Sequence, residues 1–415
     1  MRHLKVIVVG GGAAGLMAAG QAAEAGAEVV LIEKMPRSGR KLSITGKGRC
    51  NVTNVAEHDD FLAHFGATGP FLQEAFARYF NTELSGFLES LGVALVTERG
   101  GRVFPASGKA PDIVRALVKW VTRSGVTSLC RTRVDQLLLA HGRIEGVRCG
   151  AEEIRGDAVI LATGGASYPA TGSSGDGYAL ARAVGHKVMT PRPALVPLET
   201  AGTAAARLEG LSLRNMRVTL LVDGGKQHEA FGELTFTAFG VTGPVILTLS
   251  GEAVAALQAQ RKVELLIDLK PALDAEKLDR RLQRDLEARA DEPLRSLMRG
   301  LLPKPLVGVC LQAVGLPSHR RGSSVTAHDR KKLGAWLKAY RLPVTGHRPF
   351  EEAIITAGGV DTREIDPTSM ASLRCAGLYI AGELLDVQAD TGGYNLQAAF
   401  STGWLAGRAA AESAT

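Results

Sequence analysis

Cysteine is scarce and scattered in this chain. Its 415 residues hold five, at Cys50, Cys130, Cys149, Cys310 and Cys375, and no two form a C-x-x-C pair. That argues against a zinc site or a vicinal redox disulfide, and no metal site is expected. An odd, dispersed set suits a reducing cytoplasm. Long apolar runs are missing too. Val6–Val9 is cut at once by Gly10-Gly11-Gly12, far short of the roughly 20 residues of a membrane helix, so no membrane association is expected. Residues 1–23 imitate a secretory leader, with Arg2 and Lys5 ahead of the apolar run. A leader has no use for three spaced glycines. No Ser-His-Asp order is evident. His186, His228, His319 and His347 are dispersed like surface or core histidines, and Trp120, Trp336 and Trp404 fall on helical patterns as packing residues.

What is present is glycine, 49 residues, about 12% against a usual ~7%. The first cluster is the most informative. A short apolar strand ends in Gly10-x-Gly12-x-x-Gly15, an Ala-rich helix follows to Ala25, and a second apolar run, from Glu28 to Ile32, ends at Glu33, 18 residues past Gly15. Strand, glycine turn, helix, strand and acid is the context a dinucleotide-binding fingerprint needs. Gly10 permits the tight turn, Gly12 lets the backbone approach a pyrophosphate, and Gly15 lets the helix pack on the strand. The first-turn amides, at Ala13 and Ala14, face the phosphates with the helix dipole behind them. Glu33 can accept hydrogen bonds from ribose hydroxyls. No second such fingerprint appears, so a nicotinamide nucleotide, where one is used, docks transiently.

Residues 34–54 form a long basic glycine loop carrying Lys34, Arg37, Arg40, Lys41, Lys47 and Arg49. Its place after Glu33 suits a loop running along an anionic cofactor. Residues 57–92 predict a small helical insertion with a Phe/Leu core stripe, and 109–124 another amphipathic helix. Short strands are expected at 126–130, 133–140, 143–149 and 158–162, with a hairpin turn at His141-Gly142. The last runs into Ala162-Thr163-Gly164-Gly165, small residues past which a cofactor can run. Pro191, Pro193 and Pro197 mark a boundary. Beyond it, strands at 215–223, 229–237 and 262–269 and helices at 274–290, 304–314 and 326–340 indicate an inserted domain. The chain then returns to nucleotide-domain character. Ile354–Val360 is expected as a strand entering a glycine turn at Gly358-Gly359. A strand at 378–381 leads into Gly382-Glu383-Leu384-Leu385-Asp386. Thr391-Gly392-Gly393-Tyr394-Asn395-Leu396-Gln397 opens a final helix, whose N-terminus suits the pyrimidine edge of an isoalloxazine. The expected domains are 1–192 and 346–415, two parts of one nucleotide domain, with 193–345 inserted as a substrate or cap domain. Net charge is +7 and the pI about 9.2. The basic residues look dispersed, with modest clusters at Arg320-Arg321 and Arg330-Lys331-Lys332.

These stretches resemble one family. The sequence is similar throughout to the BaiN/RdsA family of FAD-binding oxidoreductases, also labelled aminoacetone-oxidase-type. Gly48-Arg49-Cys50-Asn51-Val52-Thr53-Asn54 and Gly392-Gly393-Tyr394-Asn395-Leu396-Gln397 are its most specific motifs, with Thr235-Phe236-Thr237 and Gly243-Pro244 between them. Ala238 stands where the family carries His, and Val387-Gln388-Ala389-Asp390 replaces a more glycine-rich approach to Gly392. The resemblance implies a glutathione-reductase-like α/β FAD-binding Rossmann domain, split by a β-rich insert with a small helical subdomain. It implies tightly but non-covalently bound FAD. Its activities include reduction of a uracil in large-subunit ribosomal RNA to dihydrouridine, reduction of a C=C bond in oxidised bile-acid intermediates, and amine oxidation by O₂. The first expectation is a flavin-dependent reductase of an activated C=C bond, with a uridine in ribosomal RNA as substrate and NAD(P)H as a transient electron donor. Cys50 is the candidate proton donor, weighed against a buried structural cysteine. The alternatives are an oxidase or dehydrogenase of a small amine or another small molecule, and a non-catalytic, FAD-stabilised binding protein.

Overall fold

The computed structural model describes residues 4–412; Arg2, part of the leader-like pattern, lies outside them. The chain divides into two compact units, one formed by residues 1–193 with 350–415 and the other by 194–349.

The first unit is built on a five-stranded parallel sheet. Its spatial order is Leu378–Ile380, Ala158–Leu161, Lys5–Val9, Glu28–Glu33, Thr127–Cys130. Val6, Ile7 and Val8 are wholly buried, as a continuous apolar run must be in a parallel strand covered on both faces. Val6 pairs with Val29 on one side and Ala158 on the other. The helix Ala13–Glu24 follows the first strand and packs on the C-terminal helix Tyr394–Glu412. Two glycines set that distance: a Cβ on Gly403 would stand 2.4 Å from the carbonyl oxygen of Ala14, and one on Gly407 2.4 Å from that of Ala18. No side chain fits either seam.

The insertion is helical as the periodicity requires, with helices His58–Ala63, Gly69–Arg78 and Asn81–Ser90. Its Phe stripe is core. The Phe61 ring meets Phe76 at 5.2 Å, Phe80 at 5.0 Å and Tyr394 at 4.7 Å, edge to face, each pair contributing about 0.5–1.5 kcal/mol beyond area burial. The His141-Gly142 hairpin forms with both residues at positive φ (52° and 75°), as a type I′ turn demands.

The second unit holds a closed antiparallel barrel. Around it run Leu198–Thr200, Gly240–Thr242, Gly225–Phe236, Ser212–Val222, Val263–Asp268 and Tyr340–His347, the last pairing back to the first. Helices Ala275–Ala288, Lys304–Ala313 and Ala327–Lys338 lie in the connection between the last two strands in sequence.

One reading of the sequence needs correction, and two gain structural detail. Gly358-Gly359 is not a turn after a strand but part of the strand Ile355–Val360. Both are glycine because the neighbouring backbone is close: a Cβ would meet Thr190 O at 2.4 Å and Leu384 O at 2.7 Å. Pro191 and Pro193 sit inside a strand, Val188–Ala194, in a two-stranded ladder where proline is tolerated. Gly243-Pro244 is more than a motif, because it opens a helix, Pro244–Gln258, that the apolar pattern does not announce; Pro244 occupies the position where its missing N–H costs nothing.

Candidate cofactor site

The glycine turn is held from three sides. Gly10 takes φ 106°, and a Cβ there would stand 2.4 Å from Ala162 O, so the turn lies against the Ala162–Gly165 stretch. A Cβ on Gly15 would stand 1.8 Å from Gly10 O. Gly12 is different. It caps the helix with ordinary φ −83°, no side chain caps it, and a Cβ there would meet nothing within 4 Å. The space above Gly12 is therefore left open while the glycines around it are closed in by protein. The amides of Gly12, Ala13 and Ala14 open the helix towards it. Gly11, which the spacing of the fingerprint passes over, is also constrained: its amide donates to Glu33 Oε2 at 2.8 Å, and a Cβ would meet Ser38 Oγ at 2.4 Å. The unbroken Gly10-Gly11-Gly12 run was the available signal.

Glu33 accepts from Gly11 on one oxygen and from the Met35 amide, 2.8 Å, on the other. Each oxygen keeps a lone pair, so the carboxylate both braces the turn and can receive a ribose hydroxyl. The Lys34 side chain is engaged within the protein. Its ammonium is 2.7 Å from Asp176 and also bonds Ser174, tying the loop to the helix Asp176–Ala183. Burial works against the Asp176 charge, yet the Lys34 and Ser174 hydrogen bonds prevail and hold its carboxyl below the ordinary range. Arg49 is likewise engaged, with Glu98 at 2.5 Å and over the Phe104 ring at 4.4 Å. Arg40 is half-buried, and its guanidinium makes no hydrogen bond or ion pair among the described residues.

Lys41 and Glu383, 342 residues apart, meet at 2.6 Å. The other Glu383 oxygen accepts the Thr356 amide at 2.9 Å, and the Thr356 hydroxyl accepts the Ala166 amide at 2.8 Å. A Cβ on Gly165 would press on that hydroxyl at 2.4 Å, and one on Gly382 would meet Ala14 Cβ at 2.8 Å. The three glycine-bearing stretches thus converge on the first turn of the Ala13–Glu24 helix. Thr163 Oγ1, packed on Gly177, is buried without a partner, as are Asn51 Oδ1 and Gln388 Oε1. Asp386 accepts the Gly358 amide, and burial pushes its carboxyl above the ordinary range against the pull of Arg192.

The two most specific motifs are bonded to one another. Thr53 Oγ1 donates to Gln397 Oε1 at 2.6 Å, and Asn54 Nδ2 to Gly392 O at 3.0 Å. A Cβ on Gly393 would stand 2.3 Å from Thr53 O. Gln397 is fully buried and also donates to Ser401 at 2.9 Å. Asn395 clips the Ala389 peptide through both its amide atoms, at 2.9 Å each. The Tyr394 ring stacks on His64 at 3.9 Å. The sequence reading assigns these residues to the cofactor through the N-terminus of their helix. The structure commits their side chains to protein, so this helix offers a ligand its backbone N-terminus, with the half-buried Leu396 beside it. Cys50 is corrected. It has no accessible surface, sits at φ 59°, and burial pushes its thiol up to about 12 against a hydrogen bond from Thr45. A side chain with no surface touches neither cofactor nor substrate.

A family model described as HI0933-like protein Rossmann domain matches residues 4–409. The chain belongs to that family. One relative is the 3-dehydro-bile acid delta(4,6)-reductase of Clostridium scindens, 32% identical over 98% of this chain and 99% of that one. The ribosomal RNA dihydrouridine synthase of Escherichia coli is 30% identical over 97% of each. Among solved structures, the 3-ketosteroid-delta4-(5alpha)-dehydrogenase of Rhodococcus jostii superposes with TM-score 0.52 at 16% identity, over 99% of this chain and 97% of that one, a likeness of fold. This HI0933-like chain is an FAD-dependent oxidoreductase. Its residues fit the group: an open cradle over Gly12, an unpaired Arg40 and two helix N-termini. No helix among the described residues is long and apolar enough to cross a membrane.

Proposed function

We propose that this protein reduces an electron-poor C=C bond, with a uridine of large-subunit ribosomal RNA as its substrate. The observation that carries the reading is the pair of full-length relatives. One is named for reducing a delta(4,6) steroid system and the other for forming dihydrouridine, and both names describe adding two hydrogens across a double bond. NAD(P)H serves as a transiently docked hydride donor, and the cytoplasm is the expected compartment.

In this reading the Gly12, Ala13 and Ala14 amides and Arg40 bind the pyrophosphate, and Glu33 receives the adenosine ribose. Ala162–Gly165 and the Gly382–Asp386 stretch, with the Lys41–Glu383 pair, border the middle of the cofactor. The amides at Gly393 and Tyr394 stabilise negative charge at its pyrimidine end. The chemistry FAD supplies when bound is hydride transfer to carbon; the second carbon takes a proton from an acid other than Cys50.

Anaerobic stopped-flow tests it. FAD-loaded protein is reduced with NADPH or dithionite, then mixed with unmodified ribosomal RNA fragments and, separately, with air. Reoxidation by RNA with dihydrouridine in the product supports the reading. Rapid reoxidation by O₂ alone, with stoichiometric peroxide, replaces it with an oxidase, and a flavin that never cycles leaves a binding protein.

A further inference from the structure

The positive charge of this protein is not spread over its surface. Residues 269–339, the segment between the barrel strands Val263–Asp268 and Tyr340–His347, contain fifteen Lys and Arg against eight Asp and Glu, a net +7. The rest of the chain carries 34 against 34 and is neutral. The helical segment of the insert therefore holds the entire excess.

Part of that charge is neutralised internally. Arg289 pairs with Glu292, Arg320 with Asp329, Arg330 with Asp279 and Lys338 with Asp268. Of the cations left without an ion pair among the described residues, Lys270 is half-buried and six are exposed. Arg280, Arg295, Arg299, Lys304, Lys331 and Lys332 are exposed, and none has a carboxylate within ion-pair distance among the described residues. Two hydrogen bonds gather their elements. Arg281 donates to Gly300 O at 3.3 Å, bringing the turn after Arg299 against the helix that carries Arg280. Arg330 reaches Asp279 at 2.7 Å, bringing the helix of Lys331 and Lys332 against the same helix.

A protein that needs solubility alone gains it from charges interspersed over the whole surface. A net excess of seven positive charges confined to one subdomain, in a chain whose other charges balance, is the electrostatic footprint of a polyanion-binding surface. We infer that the helical segment 269–339 is the RNA-docking surface of this enzyme, engaging the phosphate backbone through these six side chains while the cofactor domain supplies the chemistry. The inference rests on the ribosomal RNA reading above. Phosphate contacts of this kind position a substrate without reading its sequence.

The test is a salt-dependent titration of FAD-loaded, full-length protein with a fluorescently labelled large-subunit ribosomal RNA fragment. The sextuple variant Arg280→Gln, Arg295→Gln, Arg299→Gln, Lys304→Gln, Lys331→Gln, Lys332→Gln is compared with wild type. A control variant removes Arg78, Lys119, Arg123 and Arg143, exposed cations of the other unit. At 100 mM salt the sextuple variant is expected to bind at least about tenfold more weakly, and its log–log salt slope to flatten by about 0.7–0.9 for each phosphate it no longer neutralises. The control is expected to keep both, and all three proteins to keep the same flavin reduction rate with dithionite. A sextuple variant within twofold of wild type at unchanged slope overturns the inference, as does a control that loses as much, or a wild type that binds anionic vesicles but not RNA. If RNA docks through these residues and no dihydrouridine forms, the docking surface stands and the substrate reading falls. If dihydrouridine forms equally well in the sextuple variant, the reverse holds.

Discussion

Gly12→Ala separates the cofactor cradle from the fold better than any other single change. A Cβ there meets no protein atom within 4 Å, and the backbone lies in an extended region open to alanine. Two small effects on the chain oppose each other. Alanine is a poorer helix N-cap than glycine, by up to about 1 kcal/mol, while replacing glycine restricts the unfolded chain and stabilises by about 0.4–1 kcal/mol. The cofactor-free variant should therefore unfold within about 1 kcal/mol of wild type. Its FAD affinity should not survive. In the proposed reading the methyl stands where the pyrophosphate approaches the helix amides, and losing two charge-assisted hydrogen bonds at roughly 1.5–3 kcal/mol each weakens binding by about 10²- to 10⁴-fold. Gly15→Ala is the contrasting control: its Cβ would stand 1.8 Å from Gly10 O, so the strand–helix turn itself must move and the cofactor-free fold should lose about 1–3 kcal/mol or more. Urea unfolding of both apoproteins and FAD titration by flavin fluorescence give the two numbers for each variant. A Gly12→Ala protein that binds FAD within threefold of wild type would refute the cradle, and one as destabilised as Gly15→Ala would refute the claim that the space is open.

Three further outcomes are expected. Glu383→Ala strands the Lys41 ammonium and the Thr356 amide together, in a pair whose side chains are only about a fifth exposed; apoprotein stability should fall by about 1–3 kcal/mol, and an unchanged urea midpoint would show the pair to be idle. Under native alkylation followed by mass spectrometry, exposed Cys130 should react first, whereas Cys50 and Cys310, both pushed up to about 12 by burial, should stay unmodified until the chain unfolds; Cys50→Ser should leave flavin reoxidation by substrate intact, and a loss of turnover with the fold preserved would restore Cys50 to the chemistry. The Arg363 guanidinium holds the Asp361 carboxyl down to about 2, below its unfolded value of about 3.9, so its stabilisation is present above pH ~4 and drains away as the pH falls from there towards 2; Asp361→Asn should flatten the fall in urea midpoint between pH 5 and pH 3, and an identical slope in the variant would assign acid lability elsewhere.

Local spacing made the nucleotide half of the fold legible. A buried four-residue strand, three glycines and an acid 18 residues on admit few other structures, and the Phe61–Phe80 stripe could only be core. Close backbone approach was not legible, because it depends on which distant strand passes by. Nothing local distinguishes Gly358-Gly359, pressed against Thr190 and Leu384, from a turn. The same blindness affected side-chain roles. Gln397 and Asn395 sit at the mouth of a helix where a ligand contact is the natural expectation. Their actual partners, Thr53 and Ala389, are fixed by tertiary packing.

That packing explains why the two specific motifs belong together. Thr53 and Asn54 hold Gly392 and Gln397 through side-chain hydrogen bonds, and Gly393 lies so close to Thr53 that no other residue fits. The basic loop after Glu33 and the N-terminus of the last helix are thereby tied together, although 338 residues separate Asn54 from Gly392. A helix N-terminus stabilises a developing charge only if its amides are aimed before the charge appears. In the proposed reading Thr53, Asn54 and Gln397 do that aiming, and all three are buried with their hydrogen bonds given to one another, to Ser401 and to neighbouring backbone. In the same reading, disrupting Thr53 acts on the chemistry through geometry: Thr53→Val, isosteric but unable to bond Gln397, should keep FAD affinity, set at the Gly12 cradle, and slow flavin reoxidation by substrate.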